Sequence, residues 1–255
     1  MELYAIERRR WLVDQARSAG RIEVSEVARE LTVAKETVRR DLSALEAEGL
    51  LRRVHGGAVP IERAGFEGAL TLRSGDRQAE KSRIARAALG LLGSAEIIYI
   101  DEGSTTQEFA EQLHPHRELT VVTNALPIAL MMAQRQHVNV IMVGGRIRTA
   151  TLSTTDSWAG RMLEDFVFDI CFLGANGITA ERGLSCPHPG VGALKARAVA
   201  ASRRRVLLTD SAKFGVDSSY RFARVRDLHV VVTDRGADET SLARVRSLGV
   251  EVLTA

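Results

Sequence analysis

From Lys81 onward, seven short apolar runs recur: 97–100, 119–122, 138–143, 170–173, 205–208, 228–232 and 250–253. Runs this apolar suit strands covered on both faces. The stretches between them include 106–113, 125–134, 191–202 and 241–248, each long enough for a crossover helix. Strands alternating with helices predict an α/β domain with a mainly parallel sheet over residues 80–255.

Residues 1–60 follow a different period. Leu3, Ile6, Leu12 and Ala16, then Val24, Val27, Ala28 and Leu31, then Val38, Leu42 and Leu45 fall at helical spacing, with Gly20, Thr32 and Gly49 as breaks. Two short stretches around Gly56-Gly57 read as a hairpin after the third helix. Three helices and a hairpin make a winged helix-turn-helix plan over 1–59. Residues 60–79 hold Pro60, Gly65, Gly68 and Gly75 among mixed charges and show no sustained period, so they read as a linker.

With 255 residues, 45% apolar and 26% charged, the chain has ample material for two cores, and a disordered or collagen-like chain is excluded. Cys171 and Cys186 lack metal-site spacing and are too few for a disulfide framework, which fits a reducing cytoplasm. Neither an export signal nor a membrane span is expected, because no apolar run approaches the roughly 18 residues required. The net charge of +3 says little about partners: residues 1–60 carry eleven lysines and arginines against ten acids. A nucleic-acid partner must be argued from the placement of charge.

That placement is informative in the third predicted helix. Val38, Leu42 and Leu45 turn inward, leaving Lys35, Glu36, Thr37, Arg39 and Arg40 on or near the opposite face. Such a face can enter the major groove of double-stranded DNA, where arginine pairs with guanine and lysine or threonine reaches phosphates or bases. Arg52, Arg53 and His55 on the hairpin would grip the adjacent backbone or minor groove. A lone Arg-Arg pair is usually a solvated helix face, but two short helices, a turn, a basic helix and a basic wing in this order point to DNA.

A second cluster lies in the α/β segment. Asp101-Glu102-Gly103-Ser104-Thr105-Thr106 follows a strand and precedes a helix. Backbone N–H groups, hydroxyls and the positive helix end make a cradle for phosphate, although an ordinary capped turn fits this stretch equally well when read alone. Thr123-Asn124, Gly144-Gly145-Arg146 and Gly174-Ala175-Asn176-Gly177 follow three further strands and would converge on one sheet edge. Lys213 supplies a cation there. Lys195 is a second candidate, with an exposed helical lysine as the plainer alternative.

Residues Thr37-Val38-Arg39-Arg40-Asp41-Leu42, Leu45-Glu46, Gly49-Leu50, Arg53 and His55-Gly56-Gly57-Ala58 resemble the helix-turn-helix signature of DeoR-family bacterial transcriptional regulators. Glu80-Lys81, Ile84-Ala85, Asp101, Gly103 to Thr106, Val122-Thr123-Asn124, Gly144-Gly145, Phe172-Leu173-Gly174, Gly177, Gly183-Leu184 and Lys213-Phe214-Gly215 resemble the family's effector domain, which is similar to the ribose-5-phosphate isomerase fold. The resemblance implies a repressor of carbohydrate-metabolism genes, controlled by a phosphorylated sugar, polyol or sugar acid. By that likeness Gly103 to Thr106 hold the phosphate, while Asp101, Asn124 and Lys213 contact the sugar. A homodimer or homotetramer is expected, since one small helix covers only a half-site. No cofactor, metal or membrane partner is expected.

Two departures from the family pattern stand out. Ala34 replaces the usual serine before the recognition helix, which weakens that helix start by about 0.5–2 kcal/mol unless Thr32 or a DNA phosphate substitutes. Asp156 stands where many members have glycine, next to Ser157-Trp158, in a segment that borders the pocket or a subunit contact. The plainer alternative there is a surface acid and a core aromatic. The rival to a regulator is a phosphosugar isomerase, with Asp101 moving a proton and Lys213 steadying an oxyanion. His114 and His116 lack a nearby third ligand, Cys171 reads as core, and Cys186 reads as a loop residue without an activating base.

Overall fold

A computed structural model describes residues 4–19, 21–60 and 77–255. The chain divides into two compact units, Met1–Leu72 and Arg73–Ala255. The expected linker, 60–79, falls largely on residues outside those described. At its two ends Pro60 closes a strand, and Gln78 and Ala79 already lie in a helix.

The first unit runs α1 (Ala5–Ala19), β1 (Ile22–Glu23), α2 (Val24–Glu30), α3 (Lys35–Ala47), β2 (Leu51–Val54) and β3 (Gly57–Pro60). The strands form an antiparallel sheet in the order β1-β3-β2. Its core holds Leu12, Ala16, Val27, Val38, Leu42 and Leu45, as the helical spacing requires. Ile6 does not join them: it is 68% exposed. Leu3 and Gly20 lie outside the described residues. Thr32 adopts φ +55° between α2 and α3, and Gly56 adopts φ +78° in the wing turn. The next residue, Gly57, is glycine for another reason, since a Cβ there would sit 2.0 Å from the Ile22 carbonyl oxygen.

In the second unit the seven apolar runs become β4 (Ile97–Ile100), β5 (Leu119–Thr123), β6 (Val138–Met142), β9 (Phe168–Leu173), β12 (Ser202–Leu208), β14 (Val230–Thr233) and β15 (Glu251–Thr254). They form one sheet in the order β15-β14-β12-β9-β4-β5-β6, with every pairing parallel. Side chains alternate between two cores. Ile98, Ile100, Ile170, Phe172, Val206 and Leu208 pack with α4 (Gln78–Leu89), α5 (Ser104–Gln112) and α6 (Leu126–Met132). Tyr99, Cys171, Leu173, Leu207 and Val231 pack on the other face with α7 (Ser157–Glu164), α8 (Pro189–Ala200) and α9 (Glu239–Ser247). Helices on both faces are why these strands read as continuous apolar runs.

The chain builds outward from β4 through β5 and β6, then returns to place β9 on the other flank of β4. The strand order therefore reverses between β4 and β9, the position at which open α/β sheets leave a crevice beyond their carboxyl ends. Smaller elements absent from the sequence reading are a hairpin of β7 (Arg146–Arg148) and β8 (Ser153–Thr155), and an antiparallel trio of β10 (Gly177–Thr179), β11 (Gly183–Cys186) and β13 (Tyr220–Ala223). Cys186 consequently ends a buried strand rather than sitting in a loop.

At the opposite edge of the sheet Asp169 ties three strands. Its carboxylate accepts hydrogen bonds from the backbone N–H of Glu96 (2.9 Å) and Ile97 (3.1 Å) and from the Arg203 guanidinium (2.8 Å). The Glu96 bond, then those of Ile97 and Arg203, outweigh partial burial and hold the carboxyl below its ordinary range. A carboxyl lowered on folding contributes stability above its unfolded pKa, near ~4, and loses it as pH falls through the lower folded value. Asp169→Asn is expected to cost about 1 kcal/mol at neutral pH, with the gap to the parent closing below about pH 4 in denaturant titrations. A gap independent of pH would refute this role.

Candidate effector cleft and DNA-reading surface

In the first unit, α3 buries Val38, Asp41, Leu42 and Leu45 and exposes Lys35, Glu36, Arg39 and Arg40, with Thr37 half-buried. Asp41 is the residue that sequence reasoning passed over. Its buried carboxylate accepts hydrogen bonds from Arg8 Nε (2.5 Å) and Arg9 Nε (3.0 Å), which fixes α1 against α3. The exposed arginines differ in their engagements. Arg39 pairs with Glu36 (3.2 Å), while Arg53 donates to Ser43 Oγ (2.9 Å) and its backbone N–H to Glu46 Oε1 (2.8 Å). The wing is thereby tied to α3, and Arg53 spends its side chain on that tie. His55 is exposed, and the side chain of Arg52 lies outside those described. Ala34 is the N-cap of α3 with no side-chain cap, so Thr32 does not substitute for the missing serine.

In the second unit a cleft opens at the strand-order reversal. It is lined by residues after β4 (Glu102 to Thr106), after β9 (Gly174 to Asn176) and at the end of β12 and beyond (Leu208 to Asp210 and Lys213), together with Lys81 and Lys195. Gly103 caps α5 with φ +141°, a conformation only glycine adopts readily, and Thr106 Oγ1 donates back to the Gly103 carbonyl (3.0 Å). No side chain caps α5, so its first N–H groups lack a side-chain partner, and Gly103 to Thr106 all line the cleft.

Lys195 builds the cleft floor. It lies in α8, is 2% exposed, and is not the surface lysine its helical position allowed. Its ammonium donates to Asp101 Oδ2 and to the Gly174 carbonyl (3.1 Å), and stands 3.5 Å from Glu102 Oε1. Asp101 Oδ2 also accepts the Gly174 N–H (3.0 Å). Gly174 is glycine because a Cβ would crowd the Glu102 carbonyl oxygen at 3.3 Å. Burial pushes the Asp101 carboxyl up to about 6, against the pull of Lys195 and with the help of Glu102. Burial alone would lower the Lys195 ammonium, but Asp101 and Glu102 hold it above its ordinary value.

Several expected site residues are placed elsewhere. Thr123 and Asn124 are buried and do not line the cleft: Asn124 accepts from the Tyr99 hydroxyl (2.9 Å) and donates to the Thr154 carbonyl (3.1 Å), holding the β7–β8 hairpin. Gly144, Gly145 and Arg146 follow β6, two strands from β4, and also lie outside it. Gly145 adopts φ +129° against the Thr155 carbonyl, a packing role. Gly177 packs against Val216, where a Cβ would meet the carbonyl oxygen at 2.1 Å. Asp101 supports the cleft from behind.

Lys81, Glu102 and Asp210 were missed as site residues. Lys81 shares the buried stripe of α4 with Ile84, Ala85 and Ala88, and Lys195 shares that of α8 with Val191, Leu194 and Ala198. A charge on an apolar stripe was the available signal. Asp210 is held by Arg77 (3.3 Å) and caps Ala212 (3.0 Å).

Asp156 is neither a pocket residue nor a plain surface acid. Its backbone adopts φ +112°, a region that favours glycine. Its side chain caps α7 through Trp158 N–H (2.8 Å) and Ala159 N–H (3.2 Å) and accepts Arg146 N–H (3.0 Å). Burial raises the carboxyl, but these backbone bonds, led by Ala159, hold it below its usual range. Trp158 is not core: it is 69% exposed, with the Arg161 guanidinium 4.4 Å from its ring centroid. Burial pushes the Cys171 thiol up to about 12, as befits an inert core residue.

Replacing Lys195 with methionine leaves Asp101 and Glu102 buried without their cation, and is expected to destabilise this unit by about 3–5 kcal/mol. Adding Asp101→Asn should recover part of that loss. Thermal unfolding of the single and double variants checks both, and an unchanged midpoint for Lys195→Met would refute the assignment.

The two units match two family models: a DeoR-like helix-turn-helix domain over residues 8–64 and a DeoR C-terminal sensor domain over residues 76–235. A putative aga operon transcriptional repressor of Escherichia coli O157:H7 is 29% identical, covering 97% of this chain and 93% of that one. The regulator GlpR of Haloferax volcanii is 30% identical over 97% of this chain and 96% of its own. The transcriptional repressor AccR of Agrobacterium fabrum is 31% identical over 90% of each. Among the described residues no helix is long and apolar enough to cross a membrane.

Proposed function

Since the chain belongs to the DeoR family of DNA-binding transcriptional regulators, we propose that it is a cytoplasmic repressor of carbohydrate-metabolism genes whose hold on DNA is set by a phosphorylated, sugar-type effector. The observation that carries this reading is the uncapped N-terminus of α5, which opens on the cleft beside Lys81 and Lys213. Backbone N–H groups, the hydroxyls of Ser104 and Thr105 and the nearby ammonium of Lys81 suit a phosphate dianion. Gly103 to Thr106 hold the phosphate, and Lys213 and Asn176 face the rest of the ligand. Asp101 keeps Lys195 in place and has one oxygen occupied by that task, which favours binding over an isomerase mechanism built on Asp101.

On the DNA side, Lys35, Arg39 and Arg40 on α3 face the major groove and His55 on the wing approaches the flanking backbone. Two such heads on a homodimer or homotetramer span two half-sites. Effector and DNA then oppose one another by linkage, with a coupling of about 1–3 kcal/mol, if the effector binds more tightly to a conformation that cannot place both heads.

The test is fluorescence anisotropy of the full chain on its own upstream DNA, titrated at fixed salt with phosphorylated sugars and their unphosphorylated counterparts. One phosphosugar should shift the curve where its unphosphorylated form does not. Loss of DNA binding together with turnover of a phosphosugar would install the isomerase reading instead. Arg40→Ala should weaken DNA binding by about tenfold, the scale of one lost base contact, with effector binding intact. Ser104→Asp places an anion in the cradle and should abolish the effector response while DNA binding persists. A normal response in that variant would remove the cradle from the account.

A further inference from the structure

Beyond the phosphate, the cleft carries a second recognition element. Glu102 forms part of its wall, is 2% exposed, and has Oε1 held 3.5 Å from the Lys195 ammonium. Its other oxygen, Oε2, is buried with no hydrogen-bond partner, and so is Oδ1 of the preceding residue, Asp101. Buried polar atoms almost always have a partner, so the orphaned carboxylate oxygen of a wall residue marks a place where a donor belongs.

The geometry points to Glu102 as the residue that selects the unphosphorylated end of the effector. This inference rests on the phosphate-cleft reading above. An ionised carboxylate only accepts hydrogen bonds, so its partner must donate. Lys195 already brings an ammonium group to both carboxylates, and the further donors that a sugar or alditol phosphate carries are its hydroxyl groups. A ligand carboxylate, itself acceptor-only and negative, would face Glu102 with like charge in a desolvated site, an arrangement that discriminates strongly against it. The cleft therefore takes a sugar or alditol phosphate and rejects the corresponding phosphorylated aldonate. Among phosphorylated sugars, polyols and sugar acids, the acids are excluded.

The experiment is calorimetric titration of the full chain with inorganic phosphate and with two matched sets. One set is glucose 6-phosphate, sorbitol 6-phosphate and 6-phosphogluconate; the other is ribose 5-phosphate, ribitol 5-phosphate and 5-phosphoribonate. Within a set that binds, the sugar or alditol phosphate should bind about tenfold or more tightly than the aldonate. Glu102→Gln keeps the shape and removes the charge. It should narrow that gap to about threefold or less by tightening the aldonate more than it tightens inorganic phosphate or the sugar phosphate. An aldonate that binds the parent chain as well as the sugar phosphate overturns the inference and leaves the phosphate cleft standing, as does a gap that Glu102→Gln does not change. If neither phosphate nor any ester binds, the phosphate cleft falls and this inference with it. Should Glu102→Gln fail to fold, the order of affinities in the parent chain decides alone.

Discussion

A single ammonium group, that of Lys195, holds together the region where the parallel sheet changes direction. It reaches from α8 to Asp101 and Glu102 at the end of β4 and to the Gly174 carbonyl at the end of β9, so one cation joins the two strands between which the cleft forms. Burying charge is costly in an α/β core, and this cluster is tolerable because each member has a partner of opposite sign within reach. The close approach that makes this possible depends on Gly174, which lets the β9 end lie against the Glu102 backbone. The ligand-facing surface is thus the front of a structural cluster. Its walls are set by the same contacts that lock the sheet.

The large features of the fold were legible in the chain because burial leaves a plain mark on sequence. Strands covered on both faces have few polar residues to interrupt them, so 97–100, 170–173 and 230–232 stand out without any knowledge of their order. The smaller strands left no such mark. Ser153, Thr154 and Thr155 are polar yet buried, and the hydroxyls of Ser153 and Thr154 bond a neighbouring hydroxyl and the Val143 carbonyl instead of a core. The site was legible in part for a related reason. Gly103 to Thr106 announce themselves by type and by position after a strand, whereas which loops share a cleft is decided by strand order. The loops after β5 and β6 look much like those after β4 and β9, but they stand on the far side of β4 from β9.

Charged residues inside helices were the harder case in both units. Asp41, Lys81 and Lys195 each sit on a buried helix face, and each reads in isolation as a solvated residue. Asp41 shows what such a position can hold. Its pairing with Arg8 and Arg9 fixes the helix whose opposite face carries Arg39 and Arg40, so the stiffness of the DNA-reading surface originates in an acid with no contact to DNA in the proposed arrangement.

Asp156 and its neighbour Trp158 carry a practical consequence. The chain has two tryptophans, Trp11 in the first unit and Trp158 in the second, and their surroundings differ. Trp11 packs half-buried against the helical core, while Trp158 stands in solvent on the first turn of α7 under the Arg161 guanidinium. Each unit therefore carries its own intrinsic fluorophore. A quencher in solution should reach the second far more readily than the first, so the chain is already labelled, without modification, for watching its two halves separately.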